Sequence, residues 1–201
     1  MNIFRLTADL SHLVSILLLI HKIRTTRNVA GLSLKSQAVY MVVYLTRYID
    51  LFWSYVSLYN TAMKLLFIGS QAYILYLMTV EFKPQHDMRL DTFKLPYLFG
   101  AAAVMSLIAV SQWTPSEIIW SFSIWLESGA ILPQLLMLQR TGEAENLTVH
   151  YLFALGIYRG LYIPNWVWRY FTEGHFDPVA VVAGLIQTAL YADFFYIYFT
   201  K

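Results

Sequence analysis

Seven stretches of this chain are apolar for about as long as a helix needs to cross a bilayer, roughly 17 to 25 residues. The windows are residues 3–21, 36–53, 57–80, 94–112, 116–138, 148–168 and 178–199. Residues 95–113 carry no charge, 178–199 carries only Asp193, and 57–80 carries only Lys64. In hydrocarbon every backbone polar group must find its partner within the chain, so such windows fold as helices. Composition agrees: 58% of the 201 residues are hydrophobic and 13% charged, against about 25% charged in soluble domains. The expected architecture is an all-α integral membrane protein, one seven-helix transmembrane domain over residues 1–201. Arg5, Asp9 and His12 interrupt the first window and no small-residue cleavage site follows it, which predicts a retained first helix instead of a signal peptide.

Basic residues in the short connections orient the helices. Lys22, Arg24, Arg27 and Lys35 lie in the first, Lys83, Arg89 and Lys94 in the third, and Arg140 in the fifth, where Glu143 and Glu145 accompany it. The connections near 54–57, 112–116 and 170–177 have neither Lys nor Arg. The N-terminus is therefore expected on the lumenal side and the C-terminus in the cytosol. An odd helix count suggests two three-helix units joined by a linker helix. GLSLKSQ…YLTRYIDLFW aligns with ENLTVHY…GIYRGLYIPNW, Arg47 against Arg159, only with gaps. Pro133-Gln134 matches the proline-glutamine signature of PQ-loop and SWEET transporters over two residues.

Function classes narrow by elimination. With no cysteine, disulfides, thiolate metal sites and cysteine nucleophiles are excluded. A net charge of +2 does not suggest nucleic acid. No HExxH, GxSxG or P-loop pattern occurs, so neither catalysis nor a metal or other cofactor is expected.

The charges inside the windows are the informative residues. Arg5, Asp9, Arg47, Asp50, Glu117, Glu127, Arg159, Arg169 and Asp193 lie within or at the edges of spans. Each Arg or Asp at a helix centre costs about 2.5 to 3.5 kcal/mol to insert, so these groups should pair or reach water. Arg159, Tyr162, Trp166 and Arg169 fall within about 80° on the sixth helix, in a stripe about 15 Å long. Glu117, Trp120 and Glu127 share a face of the fifth; Arg5 and His12 share one of the first; Arg47 and Asp50 are three apart on the second. Internal ion pairs, Glu127 with Arg159 for example, are one reading. The other is that Arg5, Arg47 and Arg169 outnumber the acids near the lumenal ends, and surplus guanidinium implies a ligand with several carboxylates.

Histidine and aromatic residues divide similarly. His12 shares the face of Arg5 and would titrate near about pH 6.5 if unperturbed, which makes it a proton-sensor candidate. His21, His86, His150 and His175 read as loop or helix-end residues without a role. Most of the 15 tyrosines and 6 tryptophans are belt and packing residues, leaving Trp120, Tyr158, Tyr162 and Trp166 on charged faces. Asn146-Leu147-Thr148 is a glycosylation acceptor, silent on the expected cytosolic side.

MNIFRLTADLSHL, TRYIDLFWSYVSLYNTAMKL, ESGAILPQLLMLQRTGEAE, HYLFALGIYRGLYIPNWVWR and ALYADFFYIYFTK closely resemble the KDEL receptor family, Golgi receptors that retrieve escaped endoplasmic-reticulum proteins. The similarity runs from Met1 to Lys201. It implies a seven-helix SWEET-like fold and, as ligand, a C-terminal Lys/His-Asp-Glu-Leu tail bearing three carboxylates. By position, Arg47 would clasp the terminal carboxylate, Arg5 the ligand Glu and Arg169 the ligand Asp. Asp50 and Glu117 would meet the Lys or His, with Trp120 stacked on it; Tyr162, Asn165 and Trp166 would complete the wall. His12 matches the family's pH-sensing histidine, Glu127, Tyr158 and Arg159 its inner switch, and Asp193 a residue of its mobile last helix. Family members continue past the position of Lys201 into a lysine-containing tail used by COPI coats. Absence of cysteine is atypical of the family, and Gln112 stands where an acid is common. A SWEET-like solute transporter and a membrane scaffold are the rival readings, and both leave an arginine surplus unexplained.

Overall fold

A computed structural model describes residues 2–83, 89–110, 112–141, 146–174 and 176–200. Among them every regular element is helical. The first is α1 (Ile3–Thr26), whose opening turn is capped by Asn2: its Oδ1 accepts the Arg5 N–H at 2.8 Å. Next is α2 (Leu34–Arg47), where the Ser33 hydroxyl accepts the Ser36 N–H at 3.0 Å. A 3-10 turn, Ile49–Phe52, follows it. Ser57 caps α3 (Leu58–Tyr76), which ends in a π turn, Leu77–Glu81. Then come α4 (Leu95–Ile108), α5 (Pro115–Gly129) and α6 (Leu132–Thr141). The chain closes with α7 (Asn146–Glu173) and α8 (Pro178–Thr200). Asp177 starts α8, its Oδ1 accepting the N–H groups of Val179 and Ala180 at 3.0 and 3.1 Å. These caps satisfy donors that have no partner inside a helix's first turn.

The protein is a multi-pass membrane protein. Four segments are long and apolar enough to cross a bilayer: Ile3–Thr26, Leu58–Glu81, Pro115–Arg140 and Pro178–Tyr196. Shorter α4 is apolar throughout, and α7 runs 28 residues with the arginine stripe on it. Large apolar side chains such as Leu17, Leu66, Val104, Leu107, Leu185 and Ile186 are turned outward. In a bilayer that surface meets acyl chains, so its exposure carries no penalty.

Two expected spans take a different form. The second helix stops at Arg47, so Asp50 lies in the 3-10 turn and does not continue Arg47's helical face. The fifth breaks between Gly129 and Leu132. Pro133 causes the break: it lacks an N–H and its ring collides with the carbonyl four residues back, that of Gly129, the last residue of α5.

Chain packing separates two compact units, Met1–Leu19 with Glu145–Lys201, and Ile20–Ala144. In the larger, α2 packs against α3 and α5, and α4 lies on α5. Gln134 of the proline-glutamine pair is fully buried there and ties α6 to the start of α2. Its Oε1 accepts the Ser33 N–H at 2.8 Å, its Nε2 donates to the Gly31 carbonyl at 2.8 Å, and its own N–H donates to the Ser36 hydroxyl at 3.0 Å. Gly31 turns the chain into α2 with φ of 81°, left-handed backbone that glycine adopts without a Cβ clash. In the smaller unit α7 and α8 pack side by side.

Candidate functional site

The smaller unit gathers nine of the predicted residues: Arg5, His12, Tyr158, Arg159, Tyr162, Asn165, Trp166, Arg169 and Asp193. Helical spacing on α7 places Tyr158, Tyr162 and Trp166 one turn apart, and their rings form a ladder with centroids 5.6 and 6.1 Å apart. The buried Arg159 guanidinium lies 4.8 Å from the Tyr158 ring and 5.8 Å from that of Tyr162. Ring faces carry partial negative charge, so the cation is stabilised where water is scarce. His12, also buried, stacks on Tyr158 with centroids 4.1 Å apart. The Tyr162 hydroxyl donates to Asp9 Oδ1 at 3.0 Å, and Asn2 Nδ2 donates to Asn165 Oδ1 at 2.8 Å. The outer edge of the Trp166 indole abuts Gly184 of α8: a Cβ added there would sit 2.1 Å from the indole Cη2. Asp193 is exposed on α8.

The larger unit holds Arg47, Asp50, Glu117, Trp120 and Glu127. Each guanidinium nitrogen of Arg47 donates to α5. Its Nη1 pairs with Glu127 Oε2, its Nε donates to the Ser123 hydroxyl at 3.2 Å, and its Nη2 donates to the Ser123 carbonyl at 3.0 Å. Side-chain exposure is 15% for Arg47 and 1% for Glu127, so water screens this pair little. Asp50 accepts from Lys64 Nζ of α3 at 2.7 Å. Lys64 is itself buried, 6.0 Å from the Tyr48 ring. Glu117 sits in the first turn of α5, three residues after the capping Thr114, where an acid also favours the helix dipole. Trp120 is half-buried one turn before Ser123, whose hydroxyl donates to the Trp120 carbonyl at 2.6 Å.

The expected excess of guanidinium over acid is corrected by this geometry. Arg5 lies 3.9 Å from Asp9, Arg47 holds Glu127, and Arg169 Nε donates to Glu173 Oε2 at 2.8 Å. Two partners are supplied one helical turn along. The third comes from a different helix. The Arg169 pair is exposed and solvent-screened, the Arg5 pair is screened on its arginine side while Asp9 is 15% exposed, and the Arg47 pair is the most desolvated of the three.

Asn2, Ser123, Glu173 and Gly184 were not singled out from the sequence, and Asp9 and Lys64 were noted as charges inside spans without being assigned a partner. Asp9 and Lys64 had a visible signal, an ionisable group inside an apolar window; Ser123 and Gly184 had none. His21 is an exposed residue inside α1, not in a loop, and His150 is exposed near the start of α7. His86, Glu143, Glu145, His175 and Lys201 lie outside the described residues, as do the side chains of Asn146, Leu147 and Thr148.

Similarity to known proteins converges on one family. The family model for the ER lumen protein retaining receptor matches residues 28–169. The chain is 54% identical over its full length to the ER lumen protein-retaining receptor of Drosophila melanogaster, covering 95% of that protein. It is 54% identical to ER lumen protein-retaining receptor 2 of Gallus gallus and 53% to that of Homo sapiens, again over all of this chain and 95% of each relative. The chain therefore belongs to the ER lumen protein retaining receptor family.

Proposed function

We propose that this protein binds the C-terminal KDEL or HDEL tail of soluble residents of the endoplasmic reticulum, captures it in the Golgi and releases it on return. It recognises and sorts its ligand and transforms nothing. The observation that carries this reading is that Arg5, Arg47 and Arg169, the residues assigned to the tail's three carboxylates, each already hold a carboxylate. On this reading a tail would exchange its own carboxylates for Asp9, Glu127 and Glu173. Exchange at Arg5 and Arg169 costs less than at Arg47 because both guanidiniums reach solvent. At Arg47 it must release Glu127 from a buried pair, so this arginine sets the threshold for binding. Asp50, Glu117 and Trp120 would receive the tail's basic residue. Tyr162, Asn165 and Trp166 would line the rest. The relatives' names, which describe retention of lumenal proteins, support the same reading.

The charge pattern of the connections supports a lumenal N-terminus and a cytosolic C-terminus, with COPI carriers as the return route. His12, buried against Tyr158 in the network that reaches Arg159, is the proposed proton sensor; Glu127, Tyr158, Arg159 and Asp193 would relay occupancy. If binding involves proton uptake, linkage requires that protonation strengthen binding by the same coupling energy. Affinity must then be full in acid and fall as pH rises.

A fluorescent peptide ending in His-Asp-Glu-Leu, titrated into purified receptor at about pH 6 and about pH 7.4, tests this around the range where histidine titrates. Tighter binding in acid, abolished by amidating the C-terminus, is expected. Affinity independent of pH would eliminate the proton switch. Equal affinity of the amidated peptide would remove Arg47 from the carboxylate's site.

A further inference from the structure

We propose that Lys35, in the first turn of α2, and Lys94, at the N-terminal end of α4, form a site for the phosphate headgroup of an anionic phospholipid. A cleft of about 480 Å³ lies here, lined by Lys35 of α2 and by the segment from Thr92 to Tyr97. That volume falls within the range of small-ligand sites, about 300 to 1,000 Å³. Lys35 Nζ spends one donor on the Phe93 carbonyl, at 2.8 Å. Neither ammonium forms an ion pair among the described residues. The neighbouring acid, Asp91, accepts from the Ser33 hydroxyl and the Lys35 backbone N–H, both at 2.9 Å and both through Oδ2. Neither ammonium is thus paired directly with a carboxylate of the described residues, and with Asp91 counted the neighbourhood of the cleft keeps a net positive charge.

Three features favour a lipid over a free anion. The remaining lining is mostly apolar, with Phe93, Leu95 and Pro96 among its residues, which suits a glycerol backbone and the head of an acyl chain. Tyr97 is 72% exposed in the first turn of an uncharged apolar helix, the position of an interfacial aromatic residue. Lys94, immediately before that helix, has its ammonium 5.9 Å from the Tyr97 ring. On the orientation proposed above, this is the cytosolic leaflet, where anionic lipids concentrate and basic residues near the surface attract them.

The test uses the full chain in detergent with a short-chain phosphatidylinositol phosphate as probe, and phosphatidylcholine and inorganic phosphate as separate arms. Lys35→Gln keeps a donor for the Phe93 carbonyl and removes the charge; Lys94→Gln removes the second. Affinity for the anionic lipid should fall roughly five-fold for each variant and about thirty-fold for both, while Lys22→Gln, outside the cleft, leaves it unchanged. Unaltered thermal unfolding of the variants shows that they fold. Unchanged lipid affinity in the double variant would overturn the site. Inorganic phosphate competing as well as the lipid would replace it with a soluble-anion site. Tail-peptide binding, measured on the same samples, reports on the receptor reading separately: its absence with lysine-dependent lipid binding would sink only that reading.

Discussion

Replacing Gly184 by alanine should destabilise the α7–α8 pair, although alanine is the better helix former. The added Cβ would lie 2.1 Å from Trp166 Cη2, 2.8 Å from Cζ2 and 3.2 Å from Cζ3. Carbon atoms rest at about 3.5 to 4.0 Å, so the indole or α8 must retreat by roughly 1.5 Å. Trp166 is a rigid plane that also meets Tyr162, with ring centroids 6.1 Å apart, and it cannot yield by turning a terminal bond. Overpacking of this kind costs about 1 to 3 kcal/mol, against a propensity gain of about 1 kcal/mol. Gly160, also helical, has nothing within 4 Å of its added Cβ, so Gly160→Ala collects the propensity gain alone. The two variants should differ by about 1 to 3 kcal/mol, with Gly184→Ala the less stable. At about 2 to 4 °C per kcal/mol for a chain of this size, thermal unfolding in detergent resolves the order. Trp166→Leu should abolish the difference by clearing the space. If Gly184→Ala melts at or above Gly160→Ala, the close packing of Trp166 on α8 is wrong.

Arg47→Met should cost up to about 3 to 5 kcal/mol by removing a charge partner of Glu127, which is 1% exposed, whereas Arg47→Met with Glu127→Met should restore most of the loss. Equal unfolding midpoints for the single and double variants would count against a desolvated pair. Arg24→Ala, which removes a pair with Glu81 that is 52% and 32% exposed, should change the midpoint by less than about 1 kcal/mol. Gln134→Ala leaves the Ser33 N–H and the Gly31 carbonyl without this partner, a loss of about 1 to 3 kcal/mol for each buried group. Amide hydrogen exchange should accelerate first at Ser33; unchanged protection there would show that another acceptor serves it.

Local chemistry was readable along the chain because a bilayer leaves so few options. Apolar windows had to become helices, and Ser33, Ser57, Thr114 and Asp177 are residue types that cap them; the break before Pro133 did not follow from the sequence, because a proline can also sit in a kinked but continuous span. The stripe on α7 followed from a period of 3.6 residues. Helical periodicity gives the direction in which a side chain points on its own helix, but not which helix stands opposite. Arg47 therefore finds Glu127 eighty positions away, and Asp50, cut off from Arg47's helix, turns to Lys64. Trp166 likewise finds the one face of α8 where glycine leaves room for an indole. Residue types and their helical faces belong to the sequence; the pairing of charges across helices is decided by packing, because a charge in a dry interior takes the nearest counter-charge that three-dimensional contact supplies.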